Sequence, residues 1–223
     1  MNEDALANLK EDFTYFREHC IDIRSDFNTY HNLFDPANFD LLEKISGTFF
    51  GEINSILIRN WILCVCNLVD RKSTRVNRET RNNISINLIN AQIEEQFDGD
   101  KWRKQIDSIT TLTTNITDYG KKLSPARNRI IAHSDKNTYK KGLVLVETSK
   151  KDLDNFIGNI QEYCDLVGNL IGVGALDFRC SSGQGDVLDF VGFLSDVKKM
   201  LLTTDEDDQQ ILFANLKDKL SQE

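Results

Sequence analysis

The sequence is short of the residues that break helices. It holds 2 prolines and 12 glycines among 223 residues, whereas a β-sandwich or barrel needs a turn about every ten residues. Long helices fit that shortage, and 40% apolar residues are enough to fill a conventional core at this length. We therefore predict an all-α fold.

The chain also lacks an excess of positive charge. Its 27 Lys and Arg residues stand against 35 Asp and Glu residues, giving a net charge of −8. Such a charge keeps a protein in solution and disfavours non-specific adhesion to nucleic acid. Any contact with RNA therefore has to be local.

Signals for disulfides, metal sites and membrane segments are missing. The five cysteines have no paired spacing, and Cys64 and Cys66 lie in the apolar run WILCVCNLV without a second Cys or His pair nearby. We expect reduced thiols, these two in the core, and no metal or other cofactor. The first residues contain no apolar signal region, and the apolar stretches are interrupted before the roughly 20 residues that a membrane span needs. A cytoplasmic protein that does not enter a membrane is predicted.

Apolar residues spaced three and four apart predict helices along most of the chain. The first such seam runs from Leu6 to Phe34 and fits either a long helix in a bundle or an intermolecular coiled coil. We favour the bundle because Phe is a poor repeating zipper residue. Asp35-Pro36 predicts the start of a second helix that reaches about Asp70. Further helices are predicted near residues 84–97, 101–123, 149–171 and 187–202, with a last amphipathic piece at 211–220.

The polar stretch RKSTRVNRETRNN at residues 71–83 predicts a loop between the second and third helices. Its cations either extend an RNA-binding surface or form a solvated surface that pairs with the abundant carboxylates, and the sequence leaves both open. These cations are Arg71, Lys72, Arg75, Arg78 and Arg81.

Residues 124–136, SPARNRIIAHSDK, bring together three polar side chains that packing does not explain: Arg127, Asn128 and His133. Ser124-Pro125 before them predicts either a kink or a fresh helix start. Taken singly, His133 could cap a helix C-terminus and Arg127 could bridge to a carboxylate.

Residues 127–133 follow the pattern R-N-x-x-x-A-H. This pattern resembles the signature of HEPN domains, which are small helical bundles found in many prokaryotic RNA-cleaving toxins. The segment NLVDRKSTR followed by RNNISI is similar to the AbiU-type abortive-infection branch of that family. The resemblance implies a HEPN-like up-and-down helical bundle over residues 1–175, which leaves a helical C-terminal extension of unknown role at 176–223. Many members carry a tyrosine two residues after the histidine, where this chain has Asp135.

The resemblance implies a metal-independent endoribonuclease that acts in phage defence or a toxin–antitoxin system, with an antitoxin protein as a candidate partner. His133 would transfer the proton of the 2′-hydroxyl, since imidazole titrates near neutral pH. Arg127 would clamp the phosphate through its planar fork, and Asn128 would orient a partner. Single-stranded RNA is the expected substrate because its 2′-hydroxyl can reach in-line geometry.

Helix geometry constrains how this site is assembled. At about 100° per residue, Arg127 and His133 lie about 120° apart around an ideal helix, so one regular helix does not point both at one phosphate. Either His133 is displaced at a frayed helix end, or the arginine of one subunit meets the histidine of another across a twofold axis. The resemblance favours the second arrangement and hence a homodimer with a composite site.

The same region carries a local excess of cations. Residues 121–141 hold seven cations and one carboxylate, a basic island able to receive a phosphate backbone. The alternative is a solvated surface that pairs with carboxylates elsewhere. The residues predicted to bind RNA are Lys121, Lys122, Arg129 and Lys136.

Two further hypotheses come from other functional classes. In the first, the same bundle is a non-catalytic module that binds RNA, a nucleotide or a partner protein, with the motif kept at a dimer interface. In the second, the seam of the first helix and the acidic C-terminal segment form an assembly scaffold.

Overall fold

Helices dominate the described part of the chain. The structure, a computed structural model, describes residues 2–77, 79–128, 148–175 and 186–203. Its helices are α1 Glu3–Leu33, α2 Phe39–Leu68, α3 Ile86–Gln96, α4 Arg103–Ala126, α5 Lys150–Ile171 and α6 Val187–Thr203, with 3₁₀ turns at Pro36–Asn38 and Asp100–Trp102. Strands β1 Ser73–Val76 and β2 Glu79–Asn82 pair as one antiparallel hairpin. The predicted all-α bundle is confirmed.

The apolar seam of α1 lies in the core of its own chain. Leu9, Phe13 and Cys20 are fully buried, and Phe16 and Ile23 are at most 1% exposed. Each is three or four residues from the next, so one face of the helix is covered along this length. These side chains are therefore not available for an intermolecular coiled coil, and the bundle interpretation is confirmed.

Helix α5 contacts several other helices of the bundle. The ring of Tyr163 lies 5.6 Å from that of Phe16 in α1. Two helical turns before Tyr163, the ring of Phe156 stacks on that of Tyr119 in α4 at 4.4 Å. The same ring contacts Trp61 of α2 edge-on at 5.7 Å. Large aromatic side chains contribute much of the buried area of a core, so α5 organises this bundle.

Two predicted helix starts are confirmed. The Asp35 carboxylate accepts a hydrogen bond from the backbone N–H of Ala37 at 2.9 Å, and Pro36 opens the 3₁₀ turn that leads into α2. At α5, Ser149 and Asp152 form a reciprocal capping box, which satisfies backbone donors that have no partner inside the helix.

Two local predictions are wrong. Residues 73–82, predicted as part of a loop, form the β1–β2 hairpin. Helix α4 runs through Ser124 and Pro125 to Ala126, so no fresh helix starts there, whereas the alternative prediction of a kink stays a prediction. Proline lacks the N–H that would bond the carbonyl of Lys121, but in the last turn of a helix this removes one hydrogen bond and leaves the rest of the helix intact.

The chain divides into two compact units. The first comprises residues 1–26 and 58–180, and the second residues 27–57 and 181–223. The core of the second unit joins the end of α1, the first half of α2 and α6 through Leu33, Leu41, Leu42, Phe50 and Leu194. The predicted boundary between residues 175 and 176 stays a prediction.

One helical stretch of the described chain, Pro36–Leu68, is long and apolar enough to cross a membrane by length and composition alone. An 18-residue window in it has a mean hydropathy of 1.3, and 11% of that window is buried. Glu52 and Arg59 interrupt the apolar residues, which is why no such stretch was expected. The expectation that no stretch of this length and composition exists is therefore wrong. A core helix of a soluble protein can have the same composition but is mostly buried, whereas this window is largely exposed. The cytoplasmic location stays a prediction.

Candidate functional site

The ends of α2 and α4 meet at Asp70 and Arg127. Their approach is close because Gly120 of α4 faces Val69, where an added Cβ would lie 2.5 Å from the Val69 Cγ2 atom. The side-chain amide of Asn87, in the first turn of α3, donates to the carbonyls of Val69 and Asp70 at 3.1 and 2.8 Å. Carbonyls at the end of a helix have no partner inside it, so Asn87 fixes the segment that carries Asp70.

Arg127 is held by two oxygen-bearing side chains. Its Nη1 donates to Asp70 Oδ1 at 3.0 Å and Oδ2 at 3.2 Å, and its Nε donates to Asn128 Oδ1 at 3.1 Å. The side chains of Arg127 and Asp70 are 27% and 41% exposed. The guanidinium is therefore oriented while still within reach of solvent, and neither contact involves Nη2.

The regular α-helical geometry of α4 changes at Arg127. The N–H of Arg127 is shared between the carbonyls of Leu123 and Ser124, and Arg127 and Asn128 continue α4 as a wider, π-type turn. Such turns occur often at functional sites. The angle of about 120° between Arg127 and His133 assumes a regular α-helix, and in the structure the regular α-helix ends at Ala126.

Cys66 lies beside this pair as a neutral thiol. It is 1% exposed, and its S–H points to the Gly120 carbonyl with an Sγ–O distance of 3.9 Å. Burial raises the pKa of this thiol, while the nearby Arg127 guanidinium acts in the opposite direction. A buried thiol of raised pKa is a poor nucleophile, so we give Cys66 a packing role.

The other predicted cysteine, Cys64, is half-buried rather than in the core. Among the described residues, no three His, Cys, Asp or Glu side chains lie close enough together to hold a metal ion.

The seven predicted site residues fall into three groups. Arg127 and Asn128 are brought into contact. Three more, His133, Arg129 and Lys136, lie outside the described residues, and their roles stay predictions.

The two described lysines of the predicted RNA-binding set already have carboxylate partners. Lys121 Nζ lies 2.9 Å from Asp118 Oδ1, and Lys122 Nζ lies 3.0 Å from Asp152 Oδ1. Exposed pairs of this kind contribute only about 0–1 kcal/mol, so a phosphate could compete for either lysine. Their RNA-binding role stays a prediction.

Asp70 is the site residue that sequence reasoning missed. It lies in NLVDRKSTR, one of the segments that carried the family resemblance, but it is 57 positions from Arg127. Nothing in local spacing selects it from 35 acidic residues. The one available signal was its position at the end of a predicted helix, next to a basic stretch.

The chain matches a known protein family. The sequence model of the family HEPN_AbiU2, described as AbiU2, matches residues 6–190, well over half of the chain. No curated protein and no solved structure matches.

Proposed function

The chain belongs to the HEPN_AbiU2 family, and from that premise we propose that it is a metal-independent endoribonuclease acting on single-stranded RNA. Membership makes it a HEPN-type module of the abortive-infection kind. We propose that it works in phage defence or a toxin–antitoxin system, with an antitoxin protein as a partner.

The observation that carries the proposal is the oriented guanidinium of Arg127. Its contacts with Asp70 and Asn128 use Nη1 and Nε, and we assign Nη2 to a phosphate oxygen. An arginine held in advance stabilises the charge that builds on the phosphate without having to reorganise during the reaction. Loss of one such donor costs on the order of 10²–10³ in rate.

The proposed reaction needs a base as well as this cation. His133 takes the proton of the 2′-hydroxyl as the 2′ oxygen attacks the neighbouring phosphorus. The bond from phosphorus to the 5′ oxygen breaks, and the imidazolium returns a proton to that leaving oxygen. The products are a 2′,3′-cyclic phosphate and a 5′-hydroxyl, so atoms and charges balance without a co-reactant.

A direct assay tests the enzyme. Purified protein is incubated with end-labelled single-stranded RNA in EDTA, alongside His133→Ala, Arg127→Ala and the control His31→Ala, whose side chain is exposed on α1. We expect cleavage by the wild type and the control, with losses on the order of 10²–10⁴ for His133→Ala. Absence of wild-type cleavage, or equal cleavage by His133→Ala, rejects the proposal.

The proposed homodimer with a composite site has its own test. If each site takes Arg127 from one protomer and His133 from its partner, a mixed dimer of the two inactive variants regains one intact site. Random mixing of Arg127→Ala with His133→Ala should then restore about a quarter of wild-type activity. A mixture that stays inactive after subunit exchange contradicts the composite site.

A second candidate function is a non-catalytic binding module. The observation favouring it is the ion pair between the Asp70 carboxylate and the Arg127 guanidinium. This carboxylate offsets the positive charge that would attract a phosphate. In that case RNA or protein binding survives alanine at both Arg127 and His133, and no cleavage products form.

A further inference from the structure

Three cations lie at the start of the β1–β2 hairpin and directly before it. Arg71, Lys72 and Arg75 are exposed and, within the described residues, make no ion pair. On β2, Arg81 lies 3.6 Å from Glu79, and both side chains are largely exposed. In a chain with eight more carboxylates than cations, three unpaired cations within five residues mark a surface suited to an anionic ligand.

The strand register separates the two faces of the hairpin. Ser73 pairs with Asn82, and Arg75 pairs with Thr80. Directly opposed residues point to the same face, and faces alternate along a strand, so these four side chains share one face. It carries one cation and three neutral hydrogen-bonding groups, whereas Glu79 belongs to the opposite face. We call this set the Arg75 face.

The base of the hairpin is fixed by Asn83. Its backbone N–H donates to the carbonyl of Lys72 at 2.9 Å. Its side-chain amide donates to the carbonyl of Arg71 at 2.7 Å and to Thr74 Oγ1 at 2.8 Å. An isolated two-stranded hairpin is only marginally stable in water, so these three bonds hold the Arg75 face in place.

The hairpin starts beside the candidate site. Arg71 directly follows Asp70, whose carboxylate contacts Arg127, and consecutive Cα atoms are about 3.8 Å apart. The lysines predicted to bind RNA, Lys121 and Lys122, are already paired with carboxylates. The unpaired cations of the hairpin therefore offer a phosphate backbone a more available surface than those lysines do.

We infer that the Arg75 face, together with Arg71 and Lys72, binds the phosphate backbone of single-stranded RNA on its way to Arg127. This inference rests on the proposed function and adds the surface that holds the substrate. Guanidinium forks match phosphate oxygens in geometry, and the hydroxyls and amide of Ser73, Thr80 and Asn82 donate to such oxygens as well. RNA is preferred to an acidic protein because the surface leads directly to the residue proposed to clamp a phosphate.

Binding can be measured apart from cleavage. The probe is fluorescein-labelled single-stranded RNA with 2′-O-methyl riboses, which lacks the nucleophile and cannot be cut, followed by anisotropy over a series of KCl concentrations. The full-length variant carries Arg71→Gln, Lys72→Gln and Arg75→Gln. Each phosphate contact adds about 0.7 to the slope of log K against log[salt] for single strands. We expect the slope to fall by about 2 and the affinity at low salt to fall at least tenfold.

A control variant removes two cations at a distant place, the far end of α4. Arg103→Gln with Lys104→Gln changes exposed residues about 36 Å from Arg127 along the helix axis, and its slope should equal that of the wild type. Unchanged circular dichroism and Tm show that the triple variant is folded. Should it not fold, Arg75→Gln alone should lower the slope by about 0.7.

The outcomes separate this inference from the ribonuclease itself. Failure of the wild type to bind the probe, or an unchanged slope in the triple variant, overturns the hairpin assignment. Loss of binding to poly-glutamate with unchanged binding of RNA assigns the surface to an acidic protein instead. Salt-dependent binding through the hairpin without cleavage of ordinary RNA would reject the proposed ribonuclease activity and support RNA binding by the hairpin.

Discussion

Arg127 Nη1 lies 3.0 and 3.2 Å from the two carboxylate oxygens of Asp70, which joins the end of α4 to the end of α2. Both side chains remain partly exposed, at 27% and 41%, so solvent screens their attraction. Pairs of this kind contribute about 0–1 kcal/mol to stability. The larger consequence is positional, because the carboxylate sets the direction of the guanidinium.

Replacing Asp70 by Asn should therefore impair cleavage much more than folding. We expect kcat to fall about 10–100-fold, since misplacing a catalytic group by about 1 Å can cost 10²-fold. The free energy of unfolding should change by less than about 1 kcal/mol. Steady-state kinetics and urea unfolding measure the two effects, and Asp70→Glu should recover part of kcat. A fall in stability with unchanged kcat would make the pair purely structural.

The contact between Gly120 and Val69 predicts a stability cost for any side chain at position 120. An alanine there places its Cβ 2.5 Å from a Val69 methyl, so the two helices must separate. We expect Gly120→Ala to lower the free energy of unfolding by about 1–3 kcal/mol, the usual range for overpacking. Cleavage should also weaken, because Val69 precedes Asp70.

The matched control for this change is Gly158→Ala in α5. Position 158 is exposed, and an added Cβ there meets nothing within 4 Å. Alanine is the better helix former, so this substitution should raise the free energy of unfolding by up to about 1 kcal/mol. Equal effects of both substitutions in urea unfolding would contradict the close approach of α2 and α4.

A buried hydrogen bond of Tyr163 should be visible in stability. Its hydroxyl donates to Asn90 Oδ1 at 2.8 Å, and the Asn90 amide donates to Thr113 Oγ1 at 2.8 Å. Tyr163→Phe removes the donor and leaves the Asn90 oxygen without it, which should cost about 1–3 kcal/mol. The control Tyr15→Phe, at a position 53% exposed, should change thermal stability little. Equal Tm values for the two variants would refute the role of this bond.

The capping box of α5 predicts a dependence of stability on acid. The backbone N–H of Ser149, followed by Lys122, lowers the pKa of Asp152 to about 2, below an unfolded value of about 3.9. A carboxylate with a lowered pKa stabilises the fold above the unfolded value, and that contribution is lost as pH falls through the folded one. Asp152→Ala should thus lower Tm at pH 7, and the difference from wild type should vanish as pH falls from about 4 to about 2.

The neighbouring exposed Asp154 gives the control for that titration. Asp154→Ala removes a carboxylate from the same turn of α5 without touching the capping box, so its Tm difference should not follow the same acid profile. A constant difference for Asp152→Ala across this range would contradict the lowered pKa of Asp152.

Much of the helical framework was predictable because its causes are local. The spacing of apolar residues in α1 reports directly which face is buried, and six residues of its seam, from Leu9 to Phe27, are in the core. The caps at Asp35 and Ser149 were likewise readable, since each satisfies donors within three residues. Arg127 and Asn128 are neighbours in sequence, so their contact needed no tertiary information.

The hairpin was missed because neither of its faces is apolar. Every residue of β2 is exposed, so the two-residue alternation that marks a half-buried strand does not occur. The hairpin depends instead on Asn77, whose φ of 50° allows a tight turn, and on the hydrogen bonds of Asn83. A hairpin held by polar residues in this way does not change the spacing of apolar residues, so that spacing does not predict it.

The helical class, most helix limits and the family follow from residue spacing and from motifs a few residues long, so they are predictable before any contact between distant residues is known. The contact of Asp70 with Arg127, 57 positions away, depends instead on how the helices pack. That meeting requires a glycine at position 120 facing Val69 and an asparagine at 87 bonded to the end of α2. Contacts between distant segments arise from the packing of whole helices, which no short stretch of sequence encodes.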